Sequence, residues 1–251
     1  MTVLITGASS GIGLAFAKVF AQEGHDLVLV ARRRERLEAI KTEIESTTGR
    51  DVLVVIEDLS LDGSAQRLVS ALGNKQIDVL VNNAGSGDTG LFAETSLEKT
   101  QSMMQLNMSS LVALTRLLLP SMIERGKGGV LNVASIAAFV PGPTMSVYFA
   151  SKAFVLSFSE ALANELHGSG VSVTTVCPGA TSTEFDRQAG TYWGDDYHKG
   201  LPTAQVVAEF GYKAFVQGKQ LAIHGQKNRL LLLLARFLPH ALIANVVRKM
   251  L

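Results

Sequence analysis

The stretch Thr6-Gly7-Ala8-Ser9-Ser10-Gly11-Ile12-Gly13 stands between an apolar run, Val3–Ile5, and a helical pattern of apolar residues. Three glycines at a strand-to-helix turn allow a tight turn, close approach of the backbone to a pyrophosphate, and close packing of helix on strand. The first turn of the helix adds unpaired N–H groups and the positive end of the helix dipole. The stretch therefore predicts the phosphate-binding turn of a dinucleotide site.

Outward from this turn, short β-rich apolar runs alternate with longer helical patterns along the 251 residues. Repeated strand–helix–strand units indicate a parallel sheet with helices on both faces. We therefore predict an α/β fold, a Rossmann-type doubly wound parallel sheet of about seven strands in a single domain. The main part covers residues 1–227, and an apolar, basic helical extension, divided at Pro239, covers residues 228–251. The predicted strands are Val3–Ile5, Asp26–Ala31, Val52–Ile56, Val79–Val81, Gly129–Ala134, Val171–Val176 and Leu221–Ile223.

The composition argues against several classes of protein. Hydrophobic residues make up 47% of the chain and the formal net charge is +1, which is typical of a globular protein and not of one that binds nucleic acid. Cys177 is the single cysteine, so no intramolecular disulfide can form. Because the first residues lack a signal-peptide pattern and the longest apolar run, 230–235, is short for a membrane span, we expect a cytoplasmic protein.

The spacing Gly7-x-x-x-Gly11-x-Gly13 resembles the fingerprint of the short-chain dehydrogenase/reductase family, and further motifs follow in that family's order over residues 2–225. These motifs are Asn82-Asn83-Ala84-Gly85, Tyr148-Phe149-Ala150-Ser151-Lys152 and Pro178-Gly179. The resemblance implies an NADP(H)-dependent oxidoreductase that interconverts a carbonyl and a secondary alcohol, usually as a homodimer or homotetramer. It implies the catalytic residues Asn107, Ser135, Tyr148 and Lys152. Besides Tyr148 and Lys152, it implies cofactor contacts from Gly7, Ser9, Ser10, Gly11, Ile12, Gly13, Arg32, Arg33, Asp58, Leu59, Asn83, Ala84, Pro178, Gly179, Thr181 and Thr183, with Asp58 at the adenine.

The residue types support this catalytic set. Tyr148 and Lys152 are four residues apart, so on a helix they project from one face. A nearby ammonium lowers the pKa of a phenol from its ordinary value near ~10, so that the phenol can give or take the hydroxyl proton of a substrate. Ser135 ends a predicted strand and can hydrogen-bond the substrate oxygen, whereas neither of the rival hydroxyls, Ser146 and Ser151, lies at the end of a strand. In the family, the equivalent of Asn107 holds a water that links the lysine to solvent.

The end of the second predicted strand bears on the choice of cofactor. NAD-preferring enzymes place an Asp or Glu there, which binds the ribose 2′-hydroxyl. The family pattern puts Ala31 at that place, and Arg32, Arg33 and Arg34 follow. Guanidinium groups suit a 2′-phosphate, whereas positive charge in the first turn of a helix opposes the helix dipole. We therefore predict NADP(H), with Arg32 and Arg33 as ligands of the phosphate.

Three stretches, 86–97, 136–147 and 178–202, are predicted to shape the substrate pocket. The last of them is long and without clear periodicity, which is typical of a functional lid or mobile loop. The residues in these stretches predict apolar walls. The resemblance of residues 228–251 to the apolar, basic tails of some family members implies an apolar or acyl-type ketone as substrate. The expected wall residues are Phe92, Ile136, Phe139, Val140, Met145 and Trp193.

Residues 228–251 combine leucines with arginines and lysines, and no acidic residue follows Glu209. Such a segment fits a basic amphipathic helix that rests on an anionic membrane surface. It also fits short helices that pack over the substrate pocket or against a second subunit with their leucines buried, which we favour. Two other functions stay open: a catalytically silent nucleotide-binding protein on this scaffold, and a membrane-surface scaffold protein whose C-terminal segment does the main task.

Overall fold

The computed structural model describes residues 1–191, 194 and 198–250. Within them, one sheet of seven parallel strands has the order β3-β2-β1-β4-β5-β6-β7, which confirms the predicted fold. Each observed strand lies within one residue of its predicted bounds. The strands are β1 (Thr2–Thr6), β2 (Asp26–Ala31), β3 (Val52–Ile56), β4 (Val79–Asn82), β5 (Gly128–Val133), β6 (Val171–Cys177) and β7 (Leu221–Ile223).

Helices cover both faces of the sheet because successive strand residues point to opposite faces. Val3 and Ile5 pack with Phe16 and Phe20 on one face, whereas Leu4 packs into a second core on the other. The helices are α1 (Gly11–Gln22), α2 (Arg34–Thr48), α3 (Ser64–Ala71), α4 (Leu97–Met104), α5 (Ser110–Glu124), α6 (Ser146–Glu165), α7 (Phe185–Ala189), α8 (Ala204–Val216), α9 (Gln226–Ala235) and α10 (His240–Met250).

The strand order places the functional edge. The chain runs from β1 outward through β2 and β3, and then returns to add β4 on the other side of β1. Ligands of open α/β sheets bind at such a reversal, outside the carboxyl ends of the strands. The turns 6–13 and 82–85, which follow β1 and β4, therefore meet where a nucleotide is expected.

The segment Leu97–Glu124 consists of α4, the turn 105–109 and α5. By length and composition alone it is long and apolar enough to cross a membrane. No long uninterrupted apolar run marks this segment in the sequence. Its residues Leu114 and Met122 pack in the core beneath the sheet and Asn107 is buried, so it serves here as a core helix of the domain.

The last two helices, α9 and α10, lie on either side of Pro239. Ile243 is buried, whereas Leu230, Leu231 and Leu233 are each more than half exposed. Within a single chain, therefore, these three leucines are not buried, and the alternative that they pack against a second subunit stays a prediction. Of the stretch 178–202, α7 is regular, and Tyr192, Trp193 and Tyr197 lie outside the described residues.

Candidate active site

The turn after β1 needs its glycines for two reasons. Gly7 and Gly11 have φ values of +68° and +55°, in the left-handed region that glycine adopts without strain. Gly13 is required for space, because a Cβ there would lie 2.3 Å from the Gly7 carbonyl oxygen. Ser10 precedes α1 without a side-chain capping bond. The N–H groups of the first helical turn are thus left to a ligand, which suits a pyrophosphate.

Hydrogen bonds tie this turn to the end of β4. Thr6 Oγ1 accepts hydrogen bonds from the backbone N–H groups of Asn83 and Ala84, both at 3.0 Å. In return, Asn83 Nδ2 donates to the Thr6 carbonyl oxygen at 2.9 Å. Asn83 therefore braces the point where the strand order reverses, and both Asn83 and Ala84 line the cavity there.

Arg33 reaches over the glycine turn from the start of α2. Its Nη2 donates to Ser9 Oγ at 3.0 Å and to Ser10 Oγ at 2.7 Å, while its Nη1 donates to Glu184 at 2.9 Å. Arg36 binds the other oxygen of Glu184 at 2.8 Å. Hydrogen bonds from these two arginines hold the pKa of Glu184 below its usual value. The role of Glu184 was missed, because it lies 151 residues from Arg33 and in no motif.

Arg32 lines the same cavity, but its side chain is 69% exposed, against 38% for that of Arg33. Its Nη1 lies 3.5 Å from Asp58 Oδ2. Burial opposes ionisation of Asp58, yet hydrogen bonds from Ser60 and the charge of Arg32 lower the pKa of this carboxyl below its usual value. An ionised Asp58, next to Leu59 on the cavity wall, is suited to accept a hydrogen bond from an amino group such as that of adenine.

The phenol of Tyr148 and the amine of Lys152 lie one helical turn apart on α6. Lys152 is buried, its Nζ donates to the Val133 carbonyl oxygen at 2.9 Å, and this Nζ lies 5.9 Å from the centre of the Tyr148 ring. Burial lowers the pKa of Lys152 to about 8. Burial also raises the pKa of Tyr148 to about 12, against a hydrogen bond with Ser135 that lowers it. The expectation of a lowered tyrosine pKa is thus wrong for the protein alone, since desolvation outweighs the neighbouring groups.

Ser135 follows β5 by two residues and begins a short 3-10 helix, Ile136–Phe139. Its Oγ accepts a hydrogen bond from the Ala137 N–H at 3.1 Å, which fixes the direction of the side chain. Ser135 is close enough to Tyr148 to favour ionisation of the phenol, and both side chains line the cavity at the carboxyl edge of the sheet.

Asn107 lies on a turn of π-helix, Gln105–Ser109, between α4 and α5. Its Oδ1 accepts from the Ser86 N–H at 2.9 Å, and its Nδ2 donates to Ser151 Oγ at 3.0 Å. A Cβ on Gly85 would lie 3.3 Å from Asn107 Oδ1 and 3.4 Å from Lys152 Nζ, so both groups face the gap that this glycine leaves. The sequence predicted a helix here but neither the π turn nor the role of Ser151 as the partner of Asn107.

The loop after β6 closes over the glycine turn. The Pro178 carbonyl oxygen accepts from the Ile136 N–H at 2.9 Å, and Thr181 Oγ1 donates to the Gly179 carbonyl oxygen at 2.9 Å. A Cβ on Gly11 would lie 3.4 Å from the Thr183 side chain. The loop and the turn together enclose a cavity of about 550 Å³. All of the predicted catalytic and cofactor residues line it except Gly13 and Asn107, which lie behind the wall.

The substrate end of this cavity is apolar, but only part of its wall was foreseen. Ile136, Val140 and Met145 line it as expected. Phe139 instead packs in the core under α6, and Phe92 is 65% exposed, while Trp193 lies outside the described residues. Composition reveals that a loop is apolar, but not which of its side chains turn inward.

Several wall residues were missed, among them three large apolar ones from later in the chain. Phe185 of α7 lines the cavity, and its ring centre lies 5.3 Å from that of Tyr148. Leu232 of α9 and Val247 of α10 also line the cavity. The C-terminal segment therefore forms part of the site.

The family model described as short chain dehydrogenase matches residues 1–192. The chain belongs to the short-chain dehydrogenase family. Serine 3-dehydrogenase from Agrobacterium fabrum is 37% identical over 231 residues, which cover 89% of this chain and 91% of that protein. Human 17-beta-hydroxysteroid dehydrogenase type 3 is 39% identical over 190 residues, which cover 75% of this chain but 61% of the human protein.

A solved short-chain dehydrogenase from Sphingobium yanoikuyae, in complex with NADPH, has the same fold with a TM-score of 0.84. It is 35% identical to this chain, and the match covers 94% of this chain and 93% of that one. The predicted family is thus confirmed, and with it the class of enzyme, an oxidoreductase that acts on alcohol or carbonyl groups. The predicted cofactor, NADP(H), agrees with the one bound in that relative.

Proposed function

We propose that this short-chain dehydrogenase is an NADPH-dependent reductase of an apolar ketone, with Tyr148 as its proton donor. The observation that carries the proposal is the position of the Tyr148 phenol. It lies half-buried on the wall of the cavity that the glycine turn also lines, with Ser135 on the same wall and Lys152 one helical turn away. This arrangement supports a reaction in which a dinucleotide and a proton donor act on a substrate in one cavity.

The residues present fit NADP(H). Gly7, Gly11 and the start of α1 form a glycine-lined turn for the pyrophosphate, and the Arg33 guanidinium lies above it for a 2′-phosphate. Ala31, at the end of β2, has no carboxylate that would repel that phosphate. When bound, NADPH supplies the hydride that adds to the carbonyl carbon.

The chain's own residues supply the proton. Because burial raises the pKa of Tyr148 to about 12, the phenol is protonated at neutral pH, which is the form that a reduction needs. Tyr148 and Ser135 hydrogen-bond the carbonyl oxygen, and Tyr148 gives its proton to that oxygen as negative charge develops there. Lys152, with a pKa of about 8, is still largely charged at pH 7. Its ammonium therefore stabilises the phenolate that remains.

The proton on Tyr148 is restored through Lys152. The gap beside Gly85 has Asn107 Oδ1 on one side and Lys152 Nζ on the other, which are the polar partners that an ordered water needs. A water in this gap connects Lys152 towards solvent. In this role Asn107 is a positioning residue, held in place by Ser86 and Ser151.

The substrate class follows from the charges on the wall. Among the described lining residues, the cations are Arg32, Arg33 and Lys152, and all three belong to the cofactor or proton-transfer part. Among the described lining residues of the substrate end, a carboxylate substrate, such as that of serine 3-dehydrogenase, would meet no Lys or Arg but would meet Asp186, whose Oδ2 lies 3.6 Å from His198 Nε2. The apolar wall favours instead a bulky apolar ketone, as the name of the hydroxysteroid relative suggests.

The proposal extends to the location, the oligomeric state and the direction of the reaction. We place the enzyme in the cytoplasm, as a homodimer or homotetramer, and without nucleic acid as a partner. NADPH as cofactor favours reduction over oxidation as the direction in the cell.

The test is a panel of ketones, aldehydes and 3-oxoacyl thioesters, assayed by NADPH oxidation with Tyr148→Phe as the matched variant. We expect turnover with apolar ketones and a loss of about 100-fold or more in Tyr148→Phe. Full turnover in Tyr148→Phe would refute the assignment of the proton donor. No turnover on any member of the panel would favour a nucleotide-binding protein without catalytic function.

A further inference from the structure

The outer surface of α9 is apolar. Leu230, Leu231, Leu233 and Leu234 have relative exposures between 54% and 61%, and Phe237, just beyond the helix, is 79% exposed. Residues three and four apart lie on one face of a helix, so Leu230, Leu233 and Leu234 form a continuous apolar stripe. This stripe points away from the core, opposite to the usual arrangement of a surface helix.

The second helix of the segment extends this surface. In α10, Leu242 and Val246 are four residues apart and about half exposed, at 49% and 50%. Soluble monomers rarely expose a large contiguous apolar patch unless it is a contact site. We call the exposed apolar side chains of residues 230–246 the leucine face.

The inner side of the same segment is fixed to the active site. Leu232 and Val247 line the cavity, and Ile243 is buried. Asn228 Nδ2 donates to the His224 carbonyl oxygen at 2.8 Å, and a Cβ on Gly179 would lie 2.5 Å from that same nitrogen. The leucine face is therefore held in a set position, one helix thickness from the cavity.

The part of the chain that carries the leucine face has charges of one sign. From residue 210 onwards the sequence has seven basic residues and no acidic one. All seven are exposed, and five of them, Lys227, Arg229, Arg236, Arg248 and Lys249, lie in the segment that carries the leucine face. Leucines bordered by cations complement an anionic lipid surface, where headgroup charge attracts the cations and the apolar side chains enter the interface.

A second copy of this chain is a poorer partner for the same face. A twofold contact brings identical surfaces together, so the cations beside the leucine face would meet the same cations of the other copy. Like charges set against each other oppose association. The charge pattern thus favours a membrane over self-association.

We propose that residues 226–250 dock this protein on an anionic lipid bilayer through the leucine face. Docking sets Leu232 and Val247, on the cavity wall, close to the bilayer. An apolar ketone dissolved in the bilayer then has a short path to Tyr148, a consequence that rests on the proposed function, whereas docking itself does not.

The first experiment is co-sedimentation of the full chain with vesicles of phosphatidylcholine, with or without phosphatidylglycerol. We expect binding to the vesicles that contain phosphatidylglycerol, and release as the salt concentration is raised. The triple variant Leu230→Ser/Leu233→Ser/Leu234→Ser removes apolar area without touching the core, and we expect its vesicle affinity to fall about 10-fold or more. Leu61→Ser is the matched control, because Leu61 is 55% exposed outside the segment.

The second experiment tests the charges. We expect Lys227→Glu/Arg236→Glu to weaken binding about 10-fold or more, since each cation near an anionic surface contributes about 1 kcal/mol. Lys127→Glu is its control, because Lys127 is exposed immediately before β5, at the opposite edge of the sheet. It should bind vesicles as the wild type does.

Three results would overturn the proposal: no binding of the wild type to phosphatidylglycerol vesicles, unchanged binding of the serine variant, or an equal loss in the controls. Light scattering without lipid tests the alternative partner, a second copy of this chain. A mass that halves in the serine variant would assign the leucine face to a second copy, whereas an equal mass supports docking. Turnover of a water-soluble ketone by the serine variant should match the wild type, so that failure of docking and failure of the proposed reaction can be told apart.

Discussion

Arg33→Ala should change the choice between NADPH and NADH more than it changes catalysis. The Arg33 guanidinium lies 2.7 to 3.2 Å from the hydroxyls of Ser9 and Ser10, on the phosphate-binding turn. Hydrogen bonds to charged groups contribute about 1.5–3 kcal/mol, and the 38% exposure of this side chain favours the lower half of that range. At 1.4 kcal/mol for each factor of ten, kcat/KM for NADPH should fall roughly 10- to 40-fold.

The assay compares kcat/KM for NADPH and for NADH in the same preparation, since NADH lacks the 2′-phosphate and should lose less than about 2-fold. Arg34→Ala is the matched control, because Arg34 is the exposed first residue of α2. Thermal unfolding of all three proteins checks that the turn is intact. Equal losses with both cofactors would refute the reasoning, because they would assign Arg33 to the structure of the turn instead of to the phosphate.

Further substitutions and a pH series test the rest of the site. Glu184→Gln removes a carboxylate that competes with the 2′-phosphate for the Arg33 guanidinium. NADPH affinity, measured by fluorescence, should therefore rise about 2- to 5-fold, and NADH affinity should stay constant. A weaker NADPH affinity would contradict this. Gly13→Ala should cost about 1–3 kcal/mol from overpacking and lower Tm by roughly 2–12 °C; an unchanged Tm would mean that the turn tolerates a Cβ. Alcohol oxidation uses the Tyr148 phenolate and should rise from neutral pH towards about 8, above which Lys152 loses the charge that stabilises the phenolate, whereas ketone reduction uses the protonated phenol and should not rise over the same range; parallel pH profiles for the two directions below pH 8 would exclude these assignments.

Much of the fold could be predicted because the apolar runs are bounded by turn residues. The bounds of β2, β3 and β7 agree with the prediction residue for residue. Strand ends that differ do so for local reasons, such as Ala134, which leaves β5 although its N–H still donates to the Val176 carbonyl oxygen at 2.8 Å. Pairing between strands extends or shortens an element by one residue, and hydrophobic periodicity does not record it.

The site residues could be predicted where their type and spacing point to one chemical role. They could not be predicted where tertiary packing decides which side chains reach the cavity. The glycine turn and the pair Tyr148 and Lys152 are visible as spacings. Glu184 acts through an ion pair with a distant part of the chain. Phe185, from the stretch 178–202, lines the cavity, whereas Phe92, from the stretch 86–97, is exposed. The raised pKa of Tyr148 depends on burial, and the four-residue spacing to Lys152 does not reveal how buried the phenol is.

The π turn at Asn107 has a consequence for protein engineering. A π turn holds one residue more than an α-helical turn, so it rotates the side chains beyond it by about 100° relative to a regular helix. The helix thereby serves two partners, with α4 against α6 and α5 against α3. Deleting one residue from 105–109 would restore the regular α-helical hydrogen bonds, but would turn either α4 away from α6 or α5 away from α3. In chimeras with relatives, residues 97–124 should therefore be exchanged as one cassette, because a crossover inside it would mismatch the two halves.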